Sequence, residues 1–210
     1  IDILTYYSAN GSFADLKSNV TYLNEPNYAR LIRLTDLRVN LNNDGIYVNE
    51  HAYKYLSKSK LFGGEFLIAN VGAYTGHVEK MPNVNYRCTL GPNMFLVRFN
   101  SLVTNEFMYY ASKSKLIVDQ LDLYKNSNAS AQPSLNKSDF QSLVFAYPNK
   151  KIQVIIKKLL NKKVKKIEKA IESVKESLEK YKEYKKSLIF EAVTGKIDLR
   201  DYELKGGKEN

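Results

Sequence analysis

The rhythm of hydrophobic and polar positions changes once along the chain, at Tyr147-Pro148-Asn149. Before that point short apolar runs are broken by Tyr, Asn, Ser and Gly. After it the chain is Lys, Glu, Ile and Leu, with almost no turn residue until Gly195. This pattern predicts a mixed globular region followed by one helix. In the first region, strands are expected over residues 29–34, 64–69, 94–99 and 143–147. The second of these rises into a turn at 70–76, and residues 77–80 return as its hairpin partner. Asn49 is placed to cap a helix over 50–58, and Thr104 one running towards Leu123. Strands and helices mix without a regular βαβ rhythm, so the fold class expected is α+β, with a small twisted sheet and helices. The domains read as 1–148 globular, 149–195 long helix and 196–210 tail.

The long helix carries its own period. Leu160, Val164, Ile167, Ile171, Val174, Leu178, Tyr181, Lys185 and Leu188 are spaced alternately by four and three, a heptad seam with one polar break at Lys185. Ile152, Ile156 and Leu159 continue the apolar face towards the globular region, slightly out of phase. No Gly or Pro stands between Asn149 and Thr194, and Gly195 fits a C-terminal cap. At about 1.5 Å per residue such a helix is a rod of roughly 65 Å. A domain of this size cannot cover a stripe that long, so the seam calls for a partner helix. The plain reading is a coiled-coil dimer arm; the sharper one is a spacer that sets the distance between two domains.

Charge adds a partner class. The net charge of +10 is uneven, with 14 Lys and Arg against 12 Asp and Glu over residues 1–149, and 18 against 10 over residues 150–210. A basic chain invites a polyanion, although Lys-rich helices are often only solvated faces. Hydrophobic residues at 44% are enough for a packed core. No run approaches the roughly 18 apolar residues of a membrane span, and no leader-like start is present, so no membrane partner is expected. The lone Cys88 excludes an intrachain disulfide and fits a reducing cytoplasm. One Cys with His51 and His77 does not make a typical zinc site, so no metal and no cofactor are expected.

No catalytic constellation is recognisable in the sequence. A base-flipping amino-methyltransferase needs two prolines before an aromatic residue, and Asn24-Glu25-Pro26-Asn27-Tyr28 has one proline in the wrong order. Gly63-Gly64 and Gly72…Gly76 miss the phosphate-cradling spacings. Asp44 and Glu65 lack the following Lys of a metal nuclease. A non-catalytic protein is expected.

Three polar, aromatic loops carry more. Residues 8–17 supply Asn10, Ser12 and Lys17. Residues 70–77 supply Asn70, Tyr74 and Thr75. Residues 125–133 supply Lys125, Asn126, Ser127, Asn128 and Gln132. Asn and Gln pair with adenine edges, while Lys, Ser, Thr and Tyr suit phosphates. Arg87 is expected nearby, with Arg30, Arg33 and Arg38 beside the loops. The same residue types are also default turn formers.

The order of features resembles one repeat of the specificity subunit of type I restriction–modification enzymes. Phe66-Leu67-Ile68-Ala69-Asn70-Val71-Gly72-Ala73-Tyr74-Thr75-Gly76 is similar to the strand–glycine–turn segment of their recognition domains. Gln132-Pro133-Ser134-Leu135-Asn136 through Tyr147-Pro148 resembles the segment that closes the domain. Gln153 with Ile156 and Leu160, then Ile167-Glu168-Lys169-Ala170-Ile171, resemble the start and middle of the conserved helix. Tyr184-Lys185-Lys186-Ser187-Leu188-Ile189 through Ala192-Val193-Thr194-Gly195-Lys196-Ile197 resembles its end most closely. Where the family usually opens the helix with Glu-Gln, Ile152-Gln153 stands here.

The resemblance implies that residues 1–148 are a target-recognition domain reading a half-site in double-stranded DNA. It implies that the helix pairs antiparallel with that of a second copy or a second repeat, and that methyltransferase subunits dock on this scaffold and do the chemistry. The chain then reads either as a natural half-subunit or as a fragment of a two-repeat subunit. A coiled-coil interaction module without DNA specificity is the alternative.

Overall fold

Two four-stranded sheets lie face to face between two groups of helices. The computed structural model describes residues 4–8, 13–127 and 133–197. In chain order these form β1 (Leu4–Ser8), α1 (Phe13–Asn19), β2 (Ala29–Ile32), α2 (Leu34–Arg38), β3 (Ile46–Val48), α3 (Glu50–Tyr55), β4 (Lys60–Leu61), β5 (Phe66–Ala69), β6 (Val78–Lys80), β7 (Cys88–Leu90), β8 (Met94–Phe99), α4 (Asn105–Ser112), α5 (Lys115–Ser127), α6 (Lys137–Gln141) and α7 (Lys150–Val193). The first sheet has the order β1-β8-β5-β6 and is antiparallel throughout. The second has the order β3-β2-β7-β4, with β2 and β7 parallel. The fold is α+β, as expected, but with two sheets rather than one.

Alternation along the strands distributes the core. On β5, Phe66 and Ile68 pack with Val103, Phe107, Ile117, Leu121 and Phe140 under α4, α5 and α6. Between them Leu67 turns the other way, joining Ile32, Leu61, Met81, Cys88, Leu90 and Leu96 between the sheets. The outer face of the second sheet is covered by α1 and α3 through Val20, Ala29, Leu31, Val48, Ala52 and Tyr53. Because β2 and β5 are covered on both faces, all four residues of each are buried.

Cys88 is fully buried in β7, and burial pushes its thiol up to about 12. At pH 8 such a thiol is almost wholly protonated and out of reach. The native chain is expected to resist alkylation at pH 8 and to label completely once unfolded in guanidinium, as read by intact mass. Rapid stoichiometric labelling without denaturant would contradict the burial.

Several elements end differently from the sequence expectation, each for a local reason. The strand at 29–34 stops at Ile32, because Arg33 caps α2: the Asp36 carboxylate accepts from its backbone N–H and its guanidinium. Asn49 caps α3 through Ala52, but the helix closes at Tyr55 into a short 3-10 turn at Ser57–Ser59. The helix capped by Thr104 breaks into α4 and α5 at Lys113 and Ser114, with the hydroxyls of Ser112 and Ser114 bonding back to the Tyr109 and Ala111 carbonyls. Residues 143–147 form no strand. Leu143 is buried in the core, and the backbone of Val144 is satisfied by the Gln120 side chain at both its N–H and its carbonyl. The hairpin of β5 and β6 and the strand β8 match expectation.

The long helix is uninterrupted. Asn149 caps it by accepting from the Ile152 N–H. At its far end Gly195 takes φ +73°, and the N–H groups of Lys196 and Gly195 reach back to the carbonyls of Glu191 and Ala192, a Schellman closure. Contacts divide the chain into residues 1–157 and 158–210. The first turns of α7 belong to the first unit. Gln153 is fully buried there: its Oε1 accepts from the Thr104 N–H at 3.0 Å, and its Nε2 donates to the carbonyls of Leu102 and Pro148 at 2.9 and 2.8 Å. Lys157 pairs with Glu106 at 2.7 Å, and that bond holds the Glu106 carboxyl below its ordinary range against the opposing effect of burial. In the second unit every residue from Lys165 to Phe190 is exposed, including the seam residues Ile167, Ile171, Val174, Leu178, Tyr181 and Leu188, while Leu160 and Val164 are half-buried.

Candidate nucleic-acid interface

The turn joining β5 to β6 is built from glycine and carbonyl chemistry. Gly72 and Gly76 sit at φ +101° and +86°, a region costly for other residues. Thr75 is buried, and its hydroxyl donates to the carbonyls of Gly72 at 2.7 Å and Pro133 at 2.9 Å. The Gly72 N–H also reaches the Pro133 carbonyl, Leu135 N–H reaches the Asn70 carbonyl, and Val71 bridges Ser134. The 70–77 loop and the end of the third predicted loop are therefore stitched together. Thr75 does the stitching, which leaves its hydroxyl engaged within the protein.

Other connections meet this turn. The Asn70 N–H bonds the Asn93 carbonyl in the link from β7 to β8. Gly76 faces Leu121 of α5, where a Cβ would stand 3.5 Å from that side chain. Strand β1 ends towards the same side, since Ser8 pairs with Leu96 and Met94 pairs with Ala69. Asn10 and Ser12, which follow, lie outside the described residues, as do Asn128 and Gln132. Between the turn and α5 lies a groove of about 330 Å³, lined by Tyr74, His77, Lys113, Val118 and Asp122 among others.

The remaining predicted residues fall in different places. Tyr74 is 48% exposed at the tip of the turn. Asn70 is half-buried, and its Oδ1 is a buried acceptor without a partner among the described residues. Lys17 is exposed on α1, so residues 13–17 are helix rather than loop. Lys125, Asn126 and Ser127 form the last turn of α5 rather than a loop, and Lys125 pairs with Asp122. Arg87 is exposed over the Tyr28 ring at 4.5 Å. It precedes β7, whereas the turn to β8 follows it, so Arg87 stands at the opposite end of that strand from the Asn70 contact.

Two of the four arginines read as basic neighbours are engaged within the protein, Arg30 buried and Arg33 part-exposed. Arg30 is 7% exposed, and its guanidinium donates to the Leu41 and Asn43 carbonyls and to the Asn43 side chain. Arg33 is tied to Asp36. Burial acts to raise the Asp36 carboxyl, but the bonds from Arg33 and Asn43 outweigh it and hold the group below its ordinary range. Arg38 is different. Its guanidinium lies 4.1 Å from the centroid of the exposed Tyr74 ring. Sequence reasoning did not join these two residues, which are 36 positions apart; the polar run Asn40-Leu41-Asn42-Asn43 after α2 was the available signal. Among the described residues no cluster of three or more His, Cys, Asp or Glu is placed to hold a metal ion. No described helix is long and apolar enough to cross a membrane.

Comparison with known proteins gives this arrangement a family. No curated protein matches the sequence. A solved chain from a study of complex assembly and conformational transition in the type I R-M system has a similar fold, with a TM-score of 0.60 at 17% identity over 82% of this chain. The match covers 40% of that solved chain, so the protein described here spans well under half its length. The pattern of the type I restriction modification DNA specificity domain matches residues 37–180, from α2 through most of the long helix. Since that match spans more than half of the sequence, the chain belongs to the type I restriction modification DNA specificity domain family.

Proposed function

We propose that this chain is the DNA-reading part of a type I restriction–modification assembly. In this reading residues 1–148 are the recognition domain, 149–195 a dimerising spacer helix and 196–210 a tail. The recognition domain lays the β5–β6 turn and its neighbours on duplex DNA. The exposed seam of α7 pairs with a second copy of the chain or a second repeat. Methyltransferase subunits bind the scaffold and supply the chemistry. The observation that carries the reading is the family match, because it runs from α2 through most of the long helix. The clustering of the 70–77 turn with Pro133, Leu135 and α5 supports the choice of face.

Charge along α7 favours antiparallel pairing. From Lys150 to Lys166 the helix holds eight lysines and no acid; from Ile167 to Val193 it holds six of each sign. Parallel chains in register would set lysine-rich halves together, whereas antiparallel chains set each against a balanced half. Two identical domains related by a two-fold axis then read inverted copies of one half-site. The site of a homodimer is expected to be an interrupted palindrome. Methylome sequencing of cells carrying the chain with its methyltransferase partner checks this, and a continuous or asymmetric site would count against it. Binding to random duplex, followed by gel shift, is expected to weaken roughly a thousandfold between 50 and 200 mM salt for about six phosphate contacts. Absence of duplex binding at low salt would favour the pure interaction module instead.

A further inference from the structure

We propose that Arg38 is a guanine-reading side chain of the recognition domain, with Tyr74 as its positioning residue. The proposal rests on the DNA-reading function above and names a residue for it.

Both halves of the stack are anchored. Arg38 closes α2, a helix held from beneath by the fully buried Asp36, which receives bonds from Arg33 and Asn43. The chain then turns through Asn40 and Leu41 at φ +51° and +62°, and the Leu41 carbonyl is held by the buried Arg30. Tyr74 sits in the turn fixed by Thr75 to Gly72 and Pro133, with its own carbonyl bonded by the His77 N–H. A stack between two fixed elements orients the plane of a guanidinium and restricts its rotamers.

What remains open is the hydrogen-bonding edge. Among the described residues the Arg38 guanidinium makes no hydrogen bond and no ion pair, and the side chain is exposed. Arg30 is buried with both terminal nitrogens bonded to the 41–43 segment, and Arg33 is held by a two-point pairing with Asp36. Arg87 is stacked in the same way, over Tyr28, but it stands at the other end of β7, away from the β5–β6 turn. A planar fork of unpaired N–H donors held at a fixed place matches the O6 and N7 acceptors of guanine in the major groove. A lysine in the same position would offer a point charge and no fork.

The test is selection from a randomised duplex library with the full chain, followed by titration of the selected duplex. The wild type is expected to enrich a half-site containing at least one guanine. Arg38→Ala is expected to make one guanine position degenerate and to weaken binding to the wild-type site about tenfold or more. Arg38→Lys is expected to restore neither. Replacing that guanine with 7-deazaguanine is expected to weaken the wild type and leave Arg38→Ala unchanged. Tyr74→Leu is expected to blur the same position while sparing the others. An unchanged half-site with Arg38→Ala overturns the proposal, and so does full recovery by Arg38→Lys. Equal weakening on all duplexes, with a salt slope smaller by about one, would mark a phosphate contact and also overturn it. A wild type that enriches no sequence removes the DNA-reading function itself, and the proposal with it. Because Arg38 is exposed, thermal melting of the Arg38 variants is expected to match the wild type.

Discussion

Replacing Ile167 and Ile171 together with Asp is expected to turn an associated chain into a monomer. Both side chains lie on the seam and are 59% and 49% exposed in the single chain, so the monomer has no core to lose there. Pairing would bury them against a facing helix, where each is worth about 1.5–3 kcal/mol. A carboxylate at the same place would have to be desolvated without a partner, which costs far more than the lost contact. Two such sites on each chain should shift the dissociation constant by several orders of magnitude. Sedimentation equilibrium at micromolar concentration is expected to show the wild type associated and the double variant monomeric. Unchanged near-ultraviolet spectra, to which the tyrosines of residues 1–157 contribute most, would show that the fold of the first unit survives. A wild type already monomeric at tens of micromolar, or a double variant that still associates, would remove the seam as the interface.

Truncating Gln153 to Ala is expected to destabilise the first unit by about 3 kcal/mol or more. All three of its hydrogen bonds run to backbone groups: the Thr104 N–H and the carbonyls of Leu102 and Pro148. Each buried group left without a partner costs about 1–3 kcal/mol, and the missing side chain leaves a void besides. Thr104 is also the cap of α4, so the start of α4 and the start of α7 are held by one amide. For a unit of this size the loss corresponds to a fall in melting temperature of roughly 10 °C. Gln153→Glu keeps the acceptor but aims a carboxylate at two carbonyl oxygens. Burial there raises the carboxyl's folded pKa above its unfolded value, so the variant is expected to regain stability as pH falls and the group protonates. A loss below about 1 kcal/mol for Gln153→Ala would show that the amide is dispensable.

The long helix was legible because a helix of this length announces itself locally. Its seam repeats over nine positions, Asn149 and Gly195 mark its ends, and no residue between them breaks it. The β5–β6 hairpin and β8 were legible for a similar reason: apolar runs flanked by glycine turns encode both a period and a boundary. The second sheet was not. Strands β3, β4 and β7 are two or three residues long, too short to show a period, and they exist because β2 and the sheet behind them supply partners. Burial of β2 and β5 on both faces also removed the alternation by which half-exposed strands are read.

The candidate site divides along the same line. Composition pointed to Tyr74 and to the 70–77 turn, since glycine, asparagine and tyrosine in a short polar loop say something by themselves. Composition placed Thr75, Arg30 and Arg33 beside Tyr74 and Arg38 as equals. Only the fold separates them, because burial and hydrogen-bond partners depend on residues far away in sequence. Pro133 engages Thr75, Asn43 engages Arg30 and Asp36, and Tyr74 meets Arg38 across 36 positions. Local sequence determined where the chain is helical, where it turns and that its long helix carries an unpartnered apolar seam, because backbone preference and periodicity act over a few residues. Which polar side chains remain free to meet a partner was decided by tertiary structure alone, because a donor is free only when no distant part of the chain has folded onto it.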